Sequence, residues 1–148
     1  MTTPTTQLSS RFASSGTGIG LLVLRIVFGA AFIAHGAQKV FVWTIPGTQA
    51  SFAEMGVPLP EIAAIVVAFL ELVGGALIVL GLATRIIGAT LAVDMAVALF
   101  LVHLPAGFFA SDGGVELVLL LGVGALVLAL TGAGPYALDA VIRRRRAN

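Results

Sequence analysis

Four long apolar stretches occupy most of this 148-residue chain, at residues 19–41, 61–82, 86–104 and 115–131. Each holds about 17–23 residues, and a helix that rises about 1.5 Å per residue then spans a hydrocarbon core of roughly 30 Å. A backbone crosses lipid only as a helix or a closed barrel, and these uninterrupted runs are too long for alternating barrel strands. The sequence therefore predicts an all-α integral membrane protein, a four-helix transmembrane bundle.

The polar residues are too few to cover a globular surface. Charged side chains make up 10% of the chain, against about 25% in an ordinary soluble domain. We expect residues 1–18, rich in Thr and Ser, to be a disordered cytoplasmic N-terminus, and residues 19–136 to form the bundle. Residues 137–148 are expected to be a basic cytoplasmic tail, and Thr84 is a candidate cap for the third helix.

The distribution of basic residues predicts the orientation. If both termini are cytoplasmic, Arg11, Arg85 and the run from Arg143 to Arg146 lie inside, and only Lys39 lies outside. This is a clear positive-inside asymmetry. We therefore expect a multi-pass protein of a bacterial-type inner or plasma membrane with both termini in the cytoplasm. The net charge of +1 gives no reason to expect a nucleic-acid partner.

Three ionisable residues lie well inside the predicted spans: Arg25, Glu71 and Asp94. A charge at the centre of a bilayer helix costs roughly 2.5–3.5 kcal/mol, so we expect these side chains to meet inside the bundle. An arginine is the natural partner for a buried carboxylate. One cation cannot neutralise two carboxylates, so we expect Glu71 or Asp94 to be protonated while the other pairs with Arg25. The alternative is an ion-pair network that only fixes helix register.

One face of the first span carries most of its polar residues. Arg25, Phe28, Phe32, His35 and Lys39 follow a 3-4-3-4 spacing and should form a stripe that faces the bundle interior. The candidate buried polar or proton-relay residues are Arg25, His35, Gln38, Lys39, Glu71 and Asp94. The candidate polar residues of an outer mouth are His103, Asp112 and Glu116.

The absence of cysteine limits the redox chemistry that the chain can perform alone. It excludes thiol exchange, iron–sulfur ligation and covalent c-type haem attachment by this chain. His35 and His103 are two imidazoles, whereas metal sites in proteins use three or four ligands, so no metal site is predicted. A redox role would need a cofactor that is not covalently bound, a diffusible lipid carrier or a partner subunit.

Five segments together resemble the DoxX family of small four-helix membrane proteins. They are HGAQKVF at 35–41, ELVGG at 71–75 continuing to GLATR at 81–85, HLPAGFF at 103–109, GGVEL at 113–117, and LTG at 130–132 with Tyr136 and Asp139. The resemblance covers about residues 19–140. It implies an association with quinone-linked oxidation of sulfur compounds such as thiosulfate, or with redox-stress complexes, but no catalytic residues.

Three functions follow as hypotheses. The first is a subunit of a membrane redox complex that interacts with a quinone or relays protons; as an enzyme it would be part of a quinone-linked oxidoreductase. The second is a non-catalytic structural or assembly subunit. The third is a small-molecule or proton transporter. The expected partners are the lipid bilayer and other membrane or peripheral subunits, or further copies of the chain.

Overall fold

The computed structural model describes residues 4–147 of the chain, and side chains from residue 16 to residue 146, and all regular structure there is helical. The predicted all-α class is confirmed. The α-helices of the described part are α1 (Pro4–Ala37), α2 (Thr44–Glu54), α3 (Pro60–Leu80), α4 (Thr84–Ala98), α5 (Glu116–Thr131) and α6 (Leu138–Ala147).

Three helical stretches are long and apolar enough to cross a bilayer: Gly16–Val42, Pro60–Leu80 and Thr84–Ala106. The fourth apolar helix, α5, has 16 residues and a length of about 24 Å at 1.5 Å per residue. Large apolar side chains on these helices face outward; Val27, Ile62 and Leu130 are each more than half exposed. Because water would not tolerate so apolar a surface, the four helices form a membrane bundle.

The first helix is longer than the sequence predicts. α1 begins at Pro4, so the backbone of residues 4–18 is helical where we expected disorder. A helix is costly to nucleate and easy to extend, and the apolar span supplies a nucleus that the preceding residues can continue. Residues 1–3 and 148 lie outside the described part, and most of the predicted basic tail forms α6.

The helices pack as two antiparallel pairs, α1 with α3 and α4 with α5. Glycines bring the backbones of each pair close together. A Cβ on Gly75 of α3 would lie 2.7 Å from the carbonyl oxygen of Gly29 in α1 and 2.8 Å from the amide nitrogen of Ile33. A Cβ on Gly88 of α4 would lie 2.8 Å from the carbonyl oxygen of Ala125 in α5. These contacts are of the small-residue type that replaces hydrophobic packing in lipid.

The two pairs join at one end of the bundle, where a tight turn at Gly81 connects α3 to α4. Near this end, the ring of Phe28 fills the space beside Gly124, and Ile87 packs beside Gly74. Buried apolar side chains, among them Phe32 and Leu91, complete the core. We call this the closed end. At the opposite end, side chains from both pairs line a cavity, and we call it the cavity end.

The close contact at Gly75 predicts a large effect of a small substitution. Gly75→Ala should lower the stability of the detergent-solubilised protein by about 1–3 kcal/mol, because the new methyl meets backbone atoms that cannot rotate away. Gly20→Ala is the matched control, since a Cβ at that position would meet no neighbouring element within 4 Å. We expect the control to be neutral or slightly stabilising. Equal melting temperatures for the two variants would contradict the close packing of α1 and α3.

Candidate functional site

Arg25 does not pair with a carboxylate inside the bundle, contrary to the sequence prediction. It is 2% exposed, and among the described residues its guanidinium donates only to backbone carbonyl oxygens. Nε donates to Ile78 (3.1 Å), Nη1 to Ala133 (2.6 Å) and Tyr136 (3.0 Å), and Nη2 to Val79 (3.0 Å). Arg25 therefore joins the end of α3 to the segment that follows α5.

The physical reason is the position of Arg25 along the helix pair. The contact between Gly29 and Gly75 places Arg25 beside the last turn of α3 rather than beside Glu71. The last carbonyls of a helix have no partner within the helix and carry the negative end of its dipole. A guanidinium satisfies several of these oxygens at once, so the cation is stabilised without a carboxylate.

A second contact at the closed end was also missed from the sequence. The carboxylate of Asp139 accepts hydrogen bonds from the backbone amides of Ala83 (2.9 Å) and Thr84 (3.1 Å) at the start of α4. The amide of Asp139 donates to the carbonyl oxygen of Gly81 at 2.9 Å. Thr84 was expected to be the cap, but its hydroxyl oxygen is buried without a hydrogen-bond partner. The cap comes from a residue 55 positions away, which local sequence patterns do not reveal.

Lys39 is the cation that pairs with Glu71. Lys39 Nζ and Glu71 Oε2 are 2.5 Å apart, and the two side chains are 13% and 4% exposed. The backbone carbonyl of Lys39 also accepts a hydrogen bond from the hydroxyl of Thr48, which is fully buried in α2 (3.0 Å). The side chain and the backbone of Lys39 thus link the π-helical turn after α1 to α3 and to α2, respectively. Since a lone charge here would be buried without compensation, each partner depends on the other.

The Lys39–Glu71 pair forms part of the wall of a cavity of about 370 Å³. The cavity lies between the two helix pairs at the cavity end, and its wall is mostly apolar, with Met95, Val118 and Leu121 among its members. The polar side chains that line it are His35, Gln38, Lys39, Glu71, Asp94 and His103. The structure thus brings together five of the six predicted interior residues, all except Arg25, and one residue of the predicted outer mouth.

Asp94 is the carboxyl in the cavity wall that has no cation partner within 4 Å among the described residues. Its Oδ2 is buried and has no hydrogen-bond partner in the part of the chain that the structure describes. The imbalance between one cation and two carboxyl groups therefore remains, but the cation is Lys39 instead of Arg25. Lys39 pairs with Glu71, and the carboxyl group without a cation partner is that of Asp94. An unsatisfied polar atom at a cavity wall is costly unless a ligand, water or proton satisfies it.

The remaining predicted polar residues lie around the cavity end. His103 Nδ1 contacts the carbonyl oxygen of Gly113 at 2.6 Å, which leaves Nε2 for another partner. Glu116 accepts a hydrogen bond from the amide of Ala110 at 3.0 Å and does not line the cavity. Asp112 is exposed in the loop before α5. His103 is therefore the predicted mouth residue that can reach a ligand in the cavity.

Two π-helical turns shape the cavity end, and no sequence pattern that we used predicts them. One runs from Gln38 to Val42, where the amide of Trp43 bonds to the carbonyl oxygen of Gln38 (2.9 Å). The other runs from Leu99 to His103 in the third span. Both contribute cavity-lining residues, and π-helical turns occur often at functional sites.

The stripe predicted on α1 faces the interior, as expected: Arg25 and Phe32 are buried, and His35 and Lys39 line the cavity. Among residues 16–146, no three His, Asp or Glu side chains are arranged to hold a metal ion. The polar side chains of the cavity wall, Lys39, Glu71, Asp94 and the imidazoles, are suited to hydrogen bonding and proton transfer.

Comparison with known proteins places these features in a family context. The DoxX family model matches residues 20–104. The chain is 38% identical over 130 residues to the "Putative oxidoreductase CatD" of Bacillus subtilis, covering 88% of this chain and 92% of that protein. It is 32% identical over 132 residues to the "Inner membrane protein YqjF" of Escherichia coli, covering 86% and 95%. No solved structure matches the chain significantly.

The carbonyl contacts of Arg25 predict that its role is structural. Arg25→Lys should destabilise the protein by about 2 kcal/mol or more, because a single ammonium cannot reproduce the forked contacts to α3 and residues 133–136. Arg85→Lys is the control, since Arg85 is exposed at the same end. Melting temperature and proteolysis near residue 135 would measure the effect. Equal stability of the two variants would contradict this role.

The buried pair predicts strong coupling between its partners. Lys39→Met should cost about 3–5 kcal/mol, because it leaves the Glu71 carboxylate buried and unpaired. The double variant Lys39→Met, Glu71→Leu should recover most of that loss. A double-mutant cycle on thermal stability measures the coupling. Additive effects of the two substitutions would show that the pair contributes no specific interaction.

Proposed function

The chain belongs to the DoxX family of membrane proteins, and from that premise we propose that it is the membrane subunit of a redox complex that binds a quinone head group in its cavity. The observation that carries the proposal is the combination of an apolar cavity of about 370 Å³ with the Lys39–Glu71 pair and the unpartnered oxygen of Asp94. The name of the Bacillus subtilis relative, an oxidoreductase, supports the same class of function.

The size and lining of the cavity suit a quinone head group. Small-molecule sites are typically about 300–1,000 Å³, mostly apolar, with a few polar groups that fix orientation. A quinone is a flat apolar ring with carbonyl oxygens that accept hydrogen bonds. Donors that line the cavity are Lys39 Nζ and the Gln38 amide, and the ring nitrogens of His35 and His103 can supply others.

Proton supply is the role that we assign to Asp94. Reduction of a quinone to a quinol takes up two electrons and two protons. Asp94 lines the cavity and has no cation within 4 Å among the described residues, so its carboxyl is suited to hold one of these protons and pass it to a bound oxygen. We assign the second proton to the imidazole of His35 or His103, which also line the cavity. The chain contains no cysteine, and we propose that a partner subunit with a flavin or iron–sulfur centre supplies the electrons.

The basic residues support an orientation in which the closed end faces the cytoplasm. The turn that precedes Arg85 and the start of α6, which carries Arg143 to Arg146, are tied together by Asp139 at that end. Lys39 lies at the cavity end and is paired with Glu71. Under the positive-inside rule, the cavity end would then lie toward the outer leaflet.

Quinone binding is tested first on the native protein and then on variants of Asp94. We expect a quinone in the lipid extract of protein purified in mild detergent, and saturable binding of a ubiquinone or menaquinone analogue. Asp94→Leu should weaken binding about tenfold, which corresponds to the loss of one hydrogen bond of about 1.4 kcal/mol. Asp94→Asn keeps a donor, so it should bind but slow quinone reduction by the native complex.

Asp112→Asn is the matched control, because Asp112 is exposed and does not line the cavity. The proposal fails if the wild-type protein carries no quinone and binds no analogue. An intact complex with the Asp94→Leu variant would then favour a structural or assembly subunit. Solute flux into liposomes that contain only this chain would instead favour a transporter.

A further inference from the structure

The wall of the cavity carries half-exposed apolar side chains within a membrane span. Val97 and Leu101 both line the cavity, and they are 49% and 47% exposed. Other side chains that line the cavity, Met95, Val118 and Leu121, are only 5%, 8% and 7% exposed, so the larger exposed surface of Val97 and Leu101 lies mainly outside the cavity. Both residues belong to the span Thr84–Ala106, whose outer surface is expected to contact lipid. Val97 and Leu101 therefore mark an edge of the cavity wall next to the bilayer.

The neighbouring helix α3 also contributes apolar side chains to the cavity wall. Ala63 and Val67 line the cavity from the first half of α3 and are small or medium in size. α3 and α4 are joined at Gly81, and in the cavity end both contribute to the cavity wall. Val97 lies in α4, and Leu101 lies in the π-helical turn that follows it. We call the part of the cavity wall between Ala63 and Val67 on α3 and these two residues the lateral opening.

The interior of the cavity carries polar side chains, whereas its edge at the lateral opening is apolar. Glu71 and Lys39 are almost fully buried, and Asp94 has a buried oxygen, whereas the lateral opening is bordered by apolar side chains. This arrangement matches an amphiphile whose polar head enters the bundle and whose tail stays in lipid. It does not suit a small soluble anion, which would pass apolar side chains to meet two carboxyl groups.

We propose that the ligand of the cavity is a long-chain quinone that enters from the bilayer, and that its tail leaves through the lateral opening. The proposal rests on the proposed function, because it specifies which class of quinone the same site takes. It assigns Val97 as the residue that controls passage of the tail. A tail in this position remains in contact with lipid, so it adds little affinity but requires open space.

The test closes the lateral opening with one bulky side chain. Val97→Trp should weaken binding of a decyl-tailed ubiquinone analogue at least tenfold, while the same head group without the tail keeps its affinity within about twofold. Val93→Trp is the matched control, since Val93 lies one turn earlier on α4, is 64% exposed and does not line the cavity. Binding is measured in nanodiscs of one lipid composition, so partition of each analogue is the same for all variants.

Three other results would overturn the proposal. If Val97→Trp binds the tailed analogue as wild type does, the tail does not use this opening. If Val97→Trp weakens both analogues equally, the residue contacts the head group and the opening has no separate role. If wild-type protein binds neither analogue, the quinone function itself fails and the proposal with it. The first two results leave quinone binding standing, so the two failures are distinguishable.

Discussion

The closed end of the bundle depends on a guanidinium that is bonded entirely to backbone. Arg25 is buried, and its donors are used by carbonyls of α3 and of the segment after α5. In lipid, no water is present to satisfy the last carbonyls of a helix. Arg25 meets that need for α3, and in doing so it holds the two helix pairs together at one end. The carboxylate of Asp139 likewise accepts hydrogen bonds from backbone amides at the start of α4, which have no partner within that helix.

Fixing one end of the two pairs leaves the other end free to enclose a cavity. The Lys39–Glu71 pair lies at the cavity end and links the π-helical turn that follows α1 to α3, and α1 and α3 are already paired through glycine contacts. It makes no bond to α4 or α5, so it does not close the space between the pairs. The charges of the chain therefore divide into two groups with different roles: one fastens the bundle, and the other forms part of the cavity wall.

The sequence predicts the secondary structure class, the apolar spans and the inward face of α1, because each depends on local periodicity and hydropathy. The prediction that Arg25, Glu71 and Asp94 meet inside the bundle was wrong for Arg25. It relied on the position of each residue within its own span, which does not show how α1 and α3 are aligned. That alignment is set by the contact of Gly29 with Gly75, a tertiary feature. The π-helical turns and the cap by Asp139 also depend on tertiary contacts, so local patterns do not reveal them.

One conclusion from the sequence survives this change of partners, because it depends on counting rather than on geometry. The cavity wall holds the ammonium group of Lys39 and two carboxyl groups, those of Glu71 and Asp94. Because Lys39 pairs with Glu71, the carboxyl group without a cation partner is that of Asp94, whose Oδ2 is buried. An unmet hydrogen bond alone does not mark a ligand site, because the hydroxyl oxygen of Thr84 at the closed end is also buried without a partner among the described residues. What distinguishes Asp94 is that its side chain also lines the cavity, beside a lysine that is already paired with Glu71.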